Sequence, residues 1–262
     1  MSLRNDGKVA IISMDNRKNA NNLEFAQQLL GLLKQVEEEK TNKALIIGSS
    51  DEKNWSQGID VMWLMNSIQG GKKEDVQAFL STMDEVYTLM LQYPMPIIAA
   101  MNGHTFGNGI VIAAACDFRF MRSDRGYICF PEVDMNIPFV PGLIDVILKA
   151  IPQYKFNDMI LTGRRLGAEE MAAANFIDRT FDSVETLNDG VLEFAKTFNK
   201  GRAIFAEHKR RLHKSVLDVH KLQFIFEKVQ DRKSLLSKIF KKIELKGINI
   251  DNVLKIQKQL AQ

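Results

Sequence analysis

The stretch Asn102-Gly103-His104-Thr105-Phe106-Gly107-Asn108-Gly109 and the tripeptide Phe130-Pro131-Glu132 carry residue types that can do chemistry together. The first reads as a glycine-punctuated turn between an apolar strand and an apolar helix. Such a turn presents bare backbone N–H groups at a helix N-terminus, where they stabilise bound or developing negative charge. The second puts one carboxylate at the end of a short strand, and a lone carboxylate is the simplest proton-transfer device. Gly107-Asn108-Gly109 is not a phosphate-binding P-loop, because no Lys-Ser or Lys-Thr follows, and Ile112 stands where a dinucleotide fingerprint needs its third glycine. Alone, the turn serves equally as a tight connection without a ligand. Ser56-Gln57-Gly58-Ile59-Asp60 is a second turn from an extended strand into a helix. Two such turns can aim one N–H apiece at a shared carbonyl oxygen, an oxyanion hole in which each donor contributes about 3 kcal/mol to the transition state.

Glu132 lies among Phe130, Pro131, Val133, Pro138, Phe139, Val140 and Pro141, a neighbourhood that raises a carboxyl pKa and suits it to take and return protons. Asp134 ranks second as the base. Asp60 and Asp117 sit at turns and read as helix caps or hydrogen-bonding groups. His104 reads as a structural turn residue, because no Ser or Cys nucleophile stands beside it. His208, His213 and His220 fall in a basic helical region where solvated positions are the default, and Lys209-Arg210-Arg211 reads as a solvated face or a contact for phosphates.

The elements that must position these residues follow from the apolar pattern. Val9–Met14, Ala44–Ser49 and Pro96–Met101 are continuous apolar runs of strand length. Asn21-Asn22 offer caps for a helix to about Glu39, with Phe25, Leu29, Leu32, Leu33 and Val36 on one face. Helices are expected around Val61–Asn66, from about Glu74 to Gln92 before Pro94, and over Ile110–Cys116. Phe118–Met121 and Tyr127–Phe130 alternate as strands do, and the chain beyond Pro141 reads as mainly helical. Buried strands interleaved with helices point to an α/β fold. From about Arg202 the chain is rich in Lys and Arg, with apolar residues at helical spacing such as Leu235-Leu236, Ile239-Phe240 and Ile243. We read residues 1–200 as a core and 201–262 as a helical C-terminal subdomain.

Bulk properties exclude several classes. With 262 residues, 45% hydrophobic and 26% charged, the chain can bury a large core. A net charge of +3 is too small to imply nucleic acid by itself. Cys116 and Cys129, in apolar runs, read as buried thiols, and they are too few to suggest a metal site. No stretch has the length of a membrane span, neither end carries a recognisable targeting signal, and a cytoplasmic protein is the expectation.

The chain resembles the crotonase superfamily, the enoyl-CoA hydratases and isomerases, over roughly residues 7–200. The resemblance rests on Trp55-Ser56-Gln57-Gly58-Ile59-Asp60, Pro96-Ile97-Ile98-Ala99-Ala100-Met101-Asn102-Gly103, Ala115-Cys116-Asp117-Phe118-Arg119, Phe130-Pro131-Glu132-Val133 and Leu161–Ala172, in this order and spacing. It implies a spiral of β-β-α units, a homotrimer or hexamer, an acyl-CoA thioester as ligand, and no cofactor beyond the coenzyme A of the substrate. Carried over residue by residue, the backbone N–H donors fall at Ile59 and Asn108, where the family often has glycine at the second position, and one catalytic glutamate falls at Glu132. The hydratases' second glutamate falls at Val111, which cannot position or deprotonate water. The resemblance is therefore closest to the Δ3-Δ2-enoyl-CoA isomerases, which manage with one glutamate. Gly58, Gly107, Gly109, Met62, Trp63, Phe139 and Val140 are expected around the substrate. Lys209 and Lys241 are candidates for the CoA nucleotide. Another enolate reaction on acyl-CoA, hydration, and a catalytically weak acyl-CoA-binding paralogue are the alternatives.

Overall fold

The structure is a computed structural model that describes residues 1–137, 139 and 141–218. Pro138, Val140, His220, Lys241 and the apolar residues expected on helices between 235 and 243 lie outside the described residues.

In chain order the elements are β1 (Ser2–Asp6), β2 (Val9–Met14), β3 (Ala20–Asn21), α1 (Leu23–Glu38), β4 (Ala44–Ser49), β5 (Asn54–Ser56), β6 (Gly58–Ile59), α2 (Val61–Gln69), α3 (Lys73–Leu91), β7 (Ile97–Met101), β8 (His104–Phe106), α4 (Asn108–Ala115), β9 (Phe118–Arg122), β10 (Ile128–Cys129), α5 (Glu132–Met135), α6 (Pro141–Leu148), α7 (Gln153–Thr162), α8 (Ala168–Ala173), β11 (Arg179–Phe181), α9 (Val184–Lys196) and α10 (Arg202–Leu212). A six-stranded sheet has the order β1-β2-β4-β7-β9-β11, and a three-stranded sheet the order β10-β8-β5. All pairings are parallel except β1 with β2. The repeat is visible in this order: β4, β7 and β9 each lie in the large sheet, and the strand that follows each of them, β5, β8 or β10, lies in the small one before the chain turns helical. This is an α/β spiral of β-β-α units.

The apolar strands are continuous because both faces of the large sheet are covered. Ala10, Ile12, Met14, Leu45, Ile47, Ile97, Ala99 and Met101 point into the main core with α1, α3 and α4. The alternate residues Val9, Ile11, Ala44, Ile46, Ile98, Ala100 and Phe120 pack on Leu187, Val191 and Ala195 of α9. On α1, Asn22 caps the N-terminus by accepting from the Phe25 N–H. Phe25, Leu29, Leu33 and Val36 are buried, and Leu32 is partly buried against them.

Several expectations need correction. The stretch 102–109 is not one turn, because β8 runs through it and pairs with both β5 and β10. The helix after it begins at Asn108 rather than Ile110. The strand expected over Tyr127–Phe130 shrinks to Ile128–Cys129, since Pro131 has no N–H to continue a ladder. Glu132 therefore opens the short helix α5 instead of ending a strand. β1 escaped notice because its residues are largely exposed and polar, and β11 because a three-residue edge strand lies within a helical region. Lys209 and His213 are buried, not solvated. Lys209 Nζ donates to Asp117 at 2.7 Å, which removes it as a candidate for a free phosphate contact.

Helix α4 is held firmly at its C-terminus. Lys149 Nζ donates to the Ala114 and Cys116 carbonyls at 2.7 and 2.9 Å, and Arg119 donates to the Cys116 carbonyl at 2.9 Å. Cations at helix C-terminal carbonyls satisfy groups that have no partner within the helix and oppose the negative end of its dipole. The N-terminus of the same helix borders the candidate site.

Candidate active site

Gly107 precedes α4 at φ +48°, and its φ and bare Cα admit a carboxylate: a Cβ added there would lie 2.7 Å from Glu132 Oε1. Gly58, at φ +73°, passes just as closely on the other side, where a Cβ would lie 2.6 Å from the Phe106 carbonyl oxygen and 3.0 Å from Asn108 N. The two glycine turns, separated by some fifty residues of sequence, thus meet at the start of α4 with the Glu132 carboxyl beside them. Gly109 packs against Ser56, the residue that begins the first turn.

The N–H donors can be followed individually. Asp60 N donates to the Asn21 carbonyl at 2.9 Å, across the β3–β6 pairing. Alternation along β6 therefore directs the Ile59 N–H away from β3. Asn108 is the first residue of α4, so its N–H is one of those with no acceptor inside the helix, and Gly107 supplies no capping side chain to take it. The Asn108 side chain turns the other way, accepting from the Tyr87 hydroxyl and donating to Asn21 Oδ1 at 3.0 Å.

Beside Ile59 and Gly107 lies a cavity of about 80 Å3, lined by Gln57, Ile59, Val61, Leu64, Phe106, Gly107, Pro131, Glu132, Met135 and Ile137, while Gly58, Asn108 and Gly109 stand behind this lining. Among the described residues Glu132 is its one carboxylate, and Oε2 of that residue is buried with no hydrogen-bond partner. Burial pushes the Glu132 carboxyl up to about 7, against a smaller downward pull from its own backbone N–H at the start of α5. An unpaired buried carboxyl is unfavourable for the fold, and strong perturbation in a cleft is a mark of chemistry.

The remaining expected residues are placed as follows. Met62 is exposed, Trp63 packs edge-on against Phe79 of α3 at 5.4 Å, and Phe139 packs edge-on against Phe130 at 5.1 Å. None of the three lines this cavity; Val61 and Leu64, on another face of α2, do. Helical phase, which only packing fixes, decides between neighbours in such a run. Asp60 caps α2 by accepting from the Trp63 N–H, and Asp117 accepts from the Ile97 N–H. His104 is buried in a stack between Phe106 and Tyr127 and accepts from the Tyr127 N–H, a structural position. Val111 is fully buried in the core. Sequence reasoning missed Tyr87 and Asn21, whose contacts with Asn108 span 21 and 87 residues and carry no local signal.

Comparison with known proteins identifies the family and the fold. Residues 4–249 match the enoyl-CoA hydratase/isomerase family. Enoyl-CoA delta isomerase 3 of Arabidopsis thaliana is 31% identical over 182 residues, 68% of this chain and 73% of that protein. The human mitochondrial Delta(3,5)-Delta(2,4)-dienoyl-CoA isomerase is 25% identical over 192 residues, 70% of this chain and 58% of that protein. Among solved structures, a probable enoyl-CoA hydratase from Mycobacterium tuberculosis superposes with a TM-score of 0.79 at 20% identity, covering 91% of this chain and 98% of the other. An enoyl-CoA hydratase from Bacillus halodurans gives 0.77 at 19% identity, covering 85% and 89%. The spiral of β-β-α units is thus the crotonase fold, and the chain belongs to the enoyl-CoA hydratase/isomerase family.

Proposed function

We propose that this protein is an enoyl-CoA isomerase that moves the double bond of a 3-enoyl-CoA to the 2-position, with Glu132 as its single proton carrier. The observation that carries the reading is Glu132, the one carboxylate among the described residues that line a cavity walled by the two glycine turns, with its Oε2 buried and without a hydrogen-bond partner among the described residues. Likeness to a protein named enoyl-CoA delta isomerase supports it. The thioester oxygen accepts from the Ile59 and Asn108 N–H groups, which lowers the acidity barrier at C2. Glu132 takes a C2 proton, and the electron pair moves through C2–C1 to leave a dienolate whose charge rests on that oxygen. The carboxylic acid then returns the proton to C4, the double bond settles between C2 and C3, and Glu132 is again a carboxylate. A base with a pKa near 7 suits both halves of this exchange. Hydration needs a second group to activate water. Val111, buried in the core at the position the hydratases' other glutamate takes in the resemblance, supplies none.

The test is conversion of 3-enoyl-CoA substrates of several chain lengths, followed by the absorbance of the conjugated thioester. Turnover by the wild type, reduced at least about 10²-fold in Glu132→Gln, is the expected result. Turnover that survives Glu132→Gln would remove Glu132 from the mechanism. Rapid hydration of 2-enoyl-CoA would place the protein with the hydratases, and tight thioester binding without turnover would make it a binding protein.

A further inference from the structure

The start of α4 has no side-chain cap, yet its first N–H must be held in one direction if it is to meet a substrate oxygen. A conventional cap would occupy N–H groups at this helix start. The structure solves this with a different device. The Tyr87 hydroxyl donates to Asn108 Oδ1, and Asn108 Nδ2 donates to Asn21 Oδ1 at 3.0 Å. Asn21 Nδ2 donates onward to the Asn19 carbonyl at 3.0 Å and to Ser56 Oγ at 3.3 Å. Ser56 Oγ donates to the Asn19 carbonyl at 2.9 Å and accepts from the Gly58 N–H at 3.2 Å. Tyr87, Asn19, Asn21, Ser56 and Asn108 are all buried, and none of their side-chain polar atoms is left without a partner. Burial raises the Tyr87 hydroxyl well above its ordinary range, which keeps it protonated and able to donate to Asn108 Oδ1. One continuous chain of hydrogen bonds therefore runs from Tyr87 near the C-terminal end of α3, through the first residue of α4, to the residue next to Ile59.

We propose that Tyr87 and Asn21 are positioning residues that, by clamping the Asn108 side chain from both sides, lock the two backbone donors Asn108 N–H and Ile59 N–H in register with each other. This rests on the isomerase reading above. Neither residue lines the cavity beside Glu132. The chain matters because the donors sit on separate turns, and a fully satisfied buried network is stiff where two independent loops are not. A donor moved off line loses most of its worth to a developing oxyanion.

The experiment compares the wild type with Tyr87→Phe, which removes one oxygen and keeps the ring packed. Two readings are taken: kcat and KM for a 3-enoyl-CoA, from turnover over a range of substrate concentrations, and the infrared carbonyl stretch of a bound, unreactive saturated acyl-CoA at saturation. We expect kcat to fall about tenfold or more with KM little changed, and the downward carbonyl shift seen in the wild type to shrink. A merely structural loss lowers the amount of folded protein but leaves the carbonyl frequency of the bound fraction where it was. A wild-type shift and kcat in Tyr87→Phe overturn the inference while leaving the isomerase reading intact. Wild-type protein that binds the thioester without shifting its carbonyl overturns the reading of the two turns, and this inference with it. Should Tyr87→Phe fail to fold, Asn108→Ala, which keeps the backbone donor and removes the clamped side chain, gives the same two readings with the same expected directions.

Discussion

Glu132 shows how one side chain acquires a role from its surroundings. A glutamate in water titrates near 4.3. Here burial raises it to about 7, and no cation among the described residues lies close enough to offset that. The sign of the functional consequence follows directly. In the proposed isomerisation Glu132 must be ionised to take a C2 proton, so kcat/KM is full above the raised pKa and falls about tenfold per pH unit below it. We expect the acid limb to bend near pH 7, not near 4–5, in a pH profile of kcat/KM with a 3-enoyl-CoA. A limb below pH 5 would mean that the carboxyl is solvated in the free enzyme. The sequence neighbours Phe130, Pro131 and Val133 already indicated an apolar setting, but Oε2 without a partner could be seen only once α5 had been placed beside Gly107.

At the scale of elements, the site is a meeting of two strand-to-helix turns that approach more closely than any residue with a Cβ permits. Gly58→Ala would set a methyl 2.6 Å from the Phe106 carbonyl oxygen and 3.0 Å from Asn108 N, at a φ of +73° that alanine resists. Backbone has to move, so we expect kcat to drop by about 10²-fold or more together with a lower melting temperature. Gly107→Ala carries a positive-φ strain of its own, at +48°, but its methyl meets the far end of a side chain, Glu132 Oε1 at 2.7 Å, rather than backbone. It should displace the carboxylate and lower kcat with a smaller effect on folding than Gly58→Ala. Gly31→Ala, in α1 with open space around its Cα, serves as the control that leaves kcat unchanged. Thermal unfolding and steady-state kinetics on the three variants check this order, and a fully active Gly58→Ala would refute the close approach.

For the whole molecule, the helix that carries Asn108 is anchored at its far end by a buried charged cluster that joins α4 to the C-terminal part of the chain. Lys209 pairs with Asp117, while Lys149 and Arg119 hold the last carbonyls. His213 is buried beside them and is pushed down to about 4, first by burial and then by the Lys149 and Lys209 charges, with Asp117 pulling the other way. Its folded pKa lies below the ordinary 6.5, so the unfolded chain binds the proton first as pH falls. The stability it allows is complete above pH 6.5 and is lost progressively towards pH 4. Urea unfolding at pH 7.5 and 5 should show this loss, and His213→Gln should flatten it. An unchanged pH dependence in His213→Gln would assign the effect to other groups.

What the sequence determined by itself is considerable. Continuous apolar runs gave the parallel strands, because a strand covered on both faces has no polar side to show. Asn22, Asp60 and Pro94 marked where helices begin and end, because caps and prolines act within a few residues. The glycine turns and Glu132 were visible for the same reason: each is a local requirement written in a local residue. The tertiary structure alone decided the rest. It set the phase of α2, which points Val61 and Leu64 rather than Met62 and Trp63 into the cavity. It buried Lys209 and His213 within a run that reads as solvated. It also joined Tyr87, Asn108 and Asn21 across as many as 87 residues. Those outcomes depend on contacts between distant parts of the chain, and no periodicity or spacing encodes which distant group will be there.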